Sequence, residues 1–409
     1  MLKGNVIVGQ SGGPTAVINA SLVGVFKTAK DAGADKVYGM RNGIEGLLRE
    51  DYIDLDQHIH SEMDLEVLKR TPSSFLGSCR YQFPDMHQDE AIYQKLFAIL
   101  EKLNVKYFIY IGGNDSMDTV MKLSSYADAI KSDIRFMGVP KTIDNDLAET
   151  DHTPGFGSAA KFVATTMKEL ILDSNVYAMD AVTIVEIMGR NAGWLTGAAA
   201  LAKGEDCAGA DLIYLPERPF DTEDFLARVD ALRKEKRSVV VAVSEGLKNK
   251  DGSYVCEENL KDAPEDAFGH KILTGTATYL ARQVQQKLGI KARDIILNTT
   301  QRCASHIVSR RDITEAFMAA ADAVYAAIKG HSGEMVVFRR VSNTPYHMTT
   351  ETYDICKIAN AVKPVPQEWI TPDGTNVTDE FLEYVKPLII GELEPFMVDG
   401  LPRHLTLQK

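Results

Sequence analysis

A lysine and two aspartates share the stretch VPKTIDND, residues 139–146, as Lys141, Asp144 and Asp146. The apolar run Phe136, Met137, Gly138, Val139 before it reads as the end of a buried strand. One carboxylate here can abstract a hydroxyl proton, another can ligate a hard cation, and the ammonium can neutralise charge developing on a phosphate. A loop at the C-terminal end of a strand in an α/β protein is where ligands usually bind. A solvated turn uses the same residue types, so the stretch alone leaves both readings open.

Two more loops have the chemistry of phosphate holders. In VGQSGGPTAVINAS, residues 8–21, a strand is followed by Gly12, Gly13 and a helix from about Thr15. Glycines let backbone amides approach an anion, and a helix N-terminus adds favourable partial charge. Neither the Walker A pattern nor the dinucleotide-binding glycine spacing is present. In IGGNDSMDT, residues 111–119, Asn114, Asp115 and Ser116 open a helix after a strand, and an ordinary helix cap would use the same residues. Asp115 is a second candidate cation ligand. EIMGRNAGW (186–194) puts Met188, Gly189 and Arg190 at a strand end, and VSEGL (243–247) does the same for Glu245. The arginine suits bidentate phosphate contacts and the carboxylate suits sugar hydroxyls.

These loops need a frame. Short β-branched runs alternate with helical patterns, the mark of parallel sheets covered by helices. Strands are expected at 5–9, 36–40, 107–112, 135–139, 181–187, 211–215, 238–244, 294–298 and 334–338. Helices are expected over 88–103 and 221–236, the second opening with Asp221, Thr222, Glu223 and Asp224, a good N-terminal signal. The chain's 409 residues allow two or three domains, with a boundary near residue 145 and a Pro-richer, less periodic addition from about 340. The expected division is therefore 1–145, 146–340 and 341–409, with the first part completed by later segments.

A net charge of −12 argues against nucleic-acid or acidic-membrane partners, which need a basic field. Five scattered cysteines without a Cys-x-x-Cys pair suggest reduced thiols, and no signal peptide or membrane-spanning run is visible. A soluble, cytoplasmic protein is expected.

Taken together, SGGPTAVINA, FLGSCR, GGNDS, PKTIDND, MGR, SEG and the QR of NTTQRCAS resemble the phosphofructokinase family in order and rough spacing, over residues 5 to about 312. The resemblance implies an α/β chain with the phosphofructokinase fold: two doubly wound parallel-sheet lobes with the site between them, here with a C-terminal extension. It implies Mg²⁺-dependent phosphorylation of the 1-hydroxyl of fructose 6-phosphate by ATP or pyrophosphate. Asp144 would be the general base, with Thr142 and Asp146 beside it. Gly12, Gly13, Asn114 and Ser116 would hold the phosphoryl donor, and Arg80 would reach the transferring phosphate. Met188, Gly189, Arg190, Glu245, Thr299 and Arg302 would line the sugar-phosphate site. Arg293 would be lent across a subunit interface, so a homodimer or homotetramer is expected. Asn114, Asp115 and Asp146 are the candidates for the metal.

The opening stretch then reads as a donor selector. ATP-using members typically carry glycine at the positions of Lys141 and Asp115, whereas pyrophosphate-using members resemble this chain at both. Asp115 would oppose the α-phosphate of ATP, and Lys141 would supply a cation that pyrophosphate needs in the transition state. Three positions depart from the family: Asn114 replaces the usual aspartate, Ala181 replaces a second cross-subunit arginine, and Thr299 replaces His or Tyr. The alternatives are an ATP-dependent enzyme and a non-catalytic regulatory homologue.

Overall fold

The computed structural model describes residues 2–176, 178–257 and 275–407. Two sheets organise it. The first runs in the order β11-β10-β5-β4-β1-β2-β3. Its strands are β1 (Asn5–Gln10), β2 (Val37–Met40), β3 (Tyr52–Asp54), β4 (Val105–Gly112), β5 (Arg135–Pro140), β10 (Glu334–Asn343) and β11 (Tyr346–Asp354). The second runs in the order β7-β8-β6-β9. It contains β6 (Ala181–Ile187), β7 (Leu212–Tyr214), β8 (Ser238–Ser244) and β9 (Lys291–Ile296). All pairings in the second sheet are parallel. The first sheet is parallel across β10-β5-β4-β1-β2 and antiparallel at its two edges.

The central strands are apolar on both faces, as burial under helices demands: every residue of β1 and β8 is buried. Helices Ile18–Asp31 and Arg310–Ile328 cover one face of the first sheet. Glu90–Lys102 and Asn114–Ala129 cover the other. Asp221 caps helix Thr222–Glu235 by accepting from the amides of Glu223 and Asp224, matching the N-terminal signal in the sequence.

The sequence misplaces one strand and misses others. β9 spans 291–296 rather than 294–298, because its first residues (Lys291, Ala292, Arg293) are mostly polar and exposed on an edge strand, where no apolar alternation marks the start. β11 is missed for a similar reason: its sequence YHMTTETYD is mostly polar, with Met348 its one buried residue.

The chain crosses between the lobes more than once. Val139 sits in the core under the first sheet and Ile143 in the core beside the second, so 140–142 is a crossing. Further on, Ile358 packs with the first-lobe core and Val365 with the second, making 359–364 another crossing. The tail beyond 340 is therefore interleaved with both lobes. Its helix Asp379–Val385 buries Phe381 completely, stacked on Trp194 with ring centroids 6.0 Å apart. A Cβ at Gly197 would lie 2.5 Å from the Phe381 ring, so the helix seats against bare backbone there. Replacing Phe381 by Ala should destabilise the protein by about 3–5 kcal/mol in denaturant unfolding, the usual cost of emptying a buried aromatic site; a change within experimental error would show that the tail is not part of the core.

Candidate active site

The loops singled out in the sequence meet in one cleft of about 360 Å³ between the two sheets. On the first-lobe side, the glycine loop follows β1. Gly12 has φ +76°, a left-handed conformation that glycine adopts without cost. Its amide donates to the Cys79 carbonyl (3.1 Å) and its own carbonyl accepts from the Ser78 hydroxyl (2.6 Å), which ties the loop to the segment carrying Arg80.

Beyond β4, helix Asn114–Ala129 begins with Gly113 as its N-cap residue, and no side chain caps it. Asn114, Asp115 and Ser116 therefore are not ordinary caps; they form the first turn and line the cleft. Gly112 is required where it stands, because a Cβ there would fall 2.0 Å from the Ser116 hydroxyl.

Beyond β5 comes the crossing with Lys141. Its backbone amide donates to Gly112 O at 3.0 Å, and its ammonium donates to Gly13 O at 2.8 Å. The side chain is only 2% exposed. Burial lowers its pKa to about 8, with Asp144 holding the proton on and Arg302 and Arg80 working against it. A Cβ on Gly12 would come within 3.3 Å of this ammonium, and one on Gly13 within 3.0 Å of an Arg302 guanidinium nitrogen. Two cations thus lie directly against the glycine loop, with Arg80 beside them.

Asp144 donates its backbone amide to the Thr142 hydroxyl at 3.1 Å. Burial raises its carboxyl pKa, opposed by Lys141 and Arg190. Asp146 is pushed up to about 7, first by burial and then by the charge of Asp144. From the second lobe, Glu245 at the end of β8 is pushed up to about 8 by burial and again by Asp144. It accepts from the Gly189 amide at 3.3 Å, while the Ser244 hydroxyl donates to Gly189 O at 2.7 Å. Gln301 steadies the same strand end by accepting from the Met188 amide at 3.3 Å. The cleft thus sets Lys141, Arg80, Arg190 and Arg302 among Asp115, Asp144, Asp146 and Glu245.

Gly12, Gly13, Thr142 and Met188 also line the cleft, whereas Gly189 acts one step behind it, through Glu245. Arg293 and Thr299 do not line the cleft of this chain: Arg293 is exposed on the edge strand β9, and Thr299 is exposed at the start of the short helix Thr300–Cys303. Ser11, Pro14, Gly113, Ile143 and Asn191 line it unforeseen, though each adjoins a residue that was singled out. Asn360 and Val362 come from the tail, and no sequence signal marked them.

A phosphoryl donor, a hydroxyl acceptor and a cation would each find matching groups here, and the sequence profile that fits is that of phosphofructokinase, over residues 5–326. The chain belongs to the phosphofructokinase family. It is 42% identical over its whole length to the pyrophosphate–fructose 6-phosphate 1-phosphotransferase of Xanthomonas campestris, covering 97% of that protein. It is 38% identical, again over its whole length, to the enzyme of the same name from Halomonas elongata, covering 97% of it. Among solved structures, the pyrophosphate-dependent phosphofructokinase of Nitrosospira multiformis superposes with a TM-score of 0.88 at 37% identity, over 98% of this chain and 95% of that one. Among the described residues, no helix of this phosphofructokinase is long and apolar enough to cross a membrane.

Lys141 should titrate near pH 8 by nitrogen NMR or by the pH dependence of its reductive methylation. Asp144→Asn should move that midpoint lower still, since the carboxylate stabilises the ammonium; an upward move or no move would contradict the pairing.

Proposed function

We propose that this phosphofructokinase transfers a phosphoryl group from pyrophosphate to the 1-hydroxyl of fructose 6-phosphate, giving fructose 1,6-bisphosphate and phosphate, reversibly and in the cytoplasm. The observation that carries the reading is the joint placement of Asp115 and Lys141 in the cleft, with the Lys141 ammonium on Gly13 O. An ammonium against the glycine loop supplies charge that a donor without a nucleoside cannot offset by other binding energy. A carboxylate in the first turn of the neighbouring helix opposes the extra phosphate of a nucleotide.

The roles follow from position. Asp144, its carboxyl raised by burial and flanked by Lys141 and Arg190, takes the proton from the sugar hydroxyl. Lys141, Arg80 and Arg302 stabilise charge on the transferring group, and transfer of this kind needs positioning and electrostatics more than covalent chemistry. The Gly12–Gly13 loop, with Asn114 and Ser116, cradles pyrophosphate. Thr142, Met188, Gly189, Arg190 and Glu245 serve the sugar phosphate. A Glu245 carboxyl held up to about 8 keeps a proton at neutral pH and so can both donate to and accept from sugar hydroxyls. Arg293, exposed on β9, is offered to the cleft of a second copy in a homodimer or homotetramer.

A hard divalent cation, which we assign as Mg²⁺, fits the oxygen donors present. Asn114 Oδ1 is buried with no hydrogen-bond partner among the described residues, and Asp115 and Asp146 line the same cleft. Among the described residues no group of three His, Cys, Asp or Glu is arranged to cage a metal. That suits an ion usually held by one or two carboxylates plus substrate phosphates. When bound, the cation neutralises phosphoryl charge.

Fructose 1,6-bisphosphate formation should be supported by pyrophosphate and not by ATP. Asp144→Asn should cut kcat by about 10²–10⁴-fold, the usual contribution of a positioned base. Equal turnover with ATP would overturn the donor assignment, and a fully active Asp144→Asn variant would overturn the base.

A further inference from the structure

The family profile ends at residue 326, yet the loop that carries Asp144 and Asp146 is held largely by residues beyond that point. Between the two carboxylates stands Asn145, buried and in a left-handed conformation with φ +56°. Asparagine is one of the few non-glycine residues that adopt this conformation readily, because its short polar side chain can hydrogen-bond locally. Its side-chain oxygen accepts from the Thr153 amide at 3.0 Å, and its side-chain nitrogen donates to the Tyr384 hydroxyl at 2.8 Å. That hydroxyl in turn donates to the Asp151 carbonyl at 2.6 Å. Tyr384 is 7% exposed, so its one proton and its acceptor position are both committed to the catalytic loop and its continuation.

Lys363 grips the same loop from another side. Its backbone amide donates to the Asp146 carbonyl at 2.8 Å, and its ammonium donates to the carbonyls of Thr150 (2.9 Å) and Asp151 (2.7 Å). Lys363 is itself held, since the Trp194 indole donates to its carbonyl at 2.9 Å. The residues on either side anchor the segment to both lobes. Asn360 donates to Asp118 (3.0 Å) on helix Asn114–Ala129, and the Val365 amide donates to Glu217 (2.9 Å), which also accepts from Gly193 (2.8 Å). The tail crosses the cleft mouth as a strap whose donors end on the 145–151 segment.

We propose that Tyr384 and Lys363 are positioning residues for phosphoryl transfer, fixing through Asn145 and the 146–151 carbonyls where the two catalytic-loop carboxylates point. The proposal builds on the transferase reading above, because it assigns Asp144 and Asp146 to that chemistry. Neither tail residue lines the cleft, so losing them should leave substrate binding nearly intact while the reacting groups drift. A displacement of about 1 Å at such a site costs on the order of 100-fold in rate.

The test compares wild type with Tyr384→Phe, Asn145→Ala, the pair combined, and Lys363→Met, using pyrophosphate and fructose 6-phosphate. Tyr384→Phe and Lys363→Met should each lower kcat by about 10- to 100-fold with both KM values changed by less than about threefold. Because Tyr384 shares one of its two contacts with Asn145, the combined variant should lose less than the product of the two single losses. Unchanged kcat in folded variants, or losses that multiply in the pair, would overturn the proposal. Amide hydrogen exchange over 143–153 in the same proteins gives a second reading that needs no turnover. Faster exchange there in Tyr384→Phe supports the proposal, and unchanged exchange overturns it. Should Lys363→Met not fold, the milder Tyr384→Phe, which removes one oxygen, decides the matter. Wild type without pyrophosphate turnover would count against the transferase reading alone, since the exchange measurement still judges the strap.

Discussion

The attraction between a buried ammonium and the carboxylates three and five residues after it is the interaction on which the rest of this structure turns. Lys141 is almost out of contact with water, and burying a lone cation is costly enough that it would otherwise give up its proton. Asp144 and Asp146 face the converse problem, each raised by burial, with Asp146 raised further by its neighbour. Set together at the crossing between two cores, the ammonium and each carboxylate favour one another's charged forms, while the two carboxylates oppose each other. The cleft is consequently a place where charge is already arranged before a substrate arrives. That is the condition for electrostatic catalysis, in which the protein need not reorganise as the transition state forms.

Everything around the crossing holds this arrangement in place. The glycine loop offers its carbonyl to Lys141, the 78–80 segment fixes the glycine loop, and Gly112 leaves room for the first turn of the neighbouring helix. From the other lobe, the ends of β6 and β8 fasten each other through Gly189, Ser244 and Glu245. The tail closes the remaining side. Its contribution explains why a segment that reads as an appendage is packed into both cores, with Phe381 and Val365 in one and Ile358 in the other.

The sequence disclosed the site better than the frame around it. Parallel strands advertise themselves because both faces are buried, and β1, β4, β5, β6 and β8 are near-continuous apolar runs. Edge strands such as β9 and β11 lack that constraint, so their polar residues concealed them. The loops after the strands were legible because glycine, acid and base recur in them at strand ends, and the fold brings them to one cleft. Lys363 and Tyr384 were not legible. Their work is done through carbonyl oxygens and one asparagine side chain more than 200 residues away in sequence, and nothing in the composition of a Pro-rich stretch announces such partners. Arg293 and Thr299 illustrate the converse: a family pattern named them, yet the fold of a single chain sets both outside its own cleft.

Donor choice is where the account is most exposed, and the ratio of kcat/KM for pyrophosphate to that for ATP tests it most directly. The measurement is that ratio in wild type and in a protein carrying Asp115→Gly together with Lys141→Gly. Removing the opposing carboxylate and the compensating ammonium should lower the ratio by roughly 100-fold or more, mainly through loss of pyrophosphate turnover. A ratio that stays where it was would contradict the claim that these two residues choose the donor.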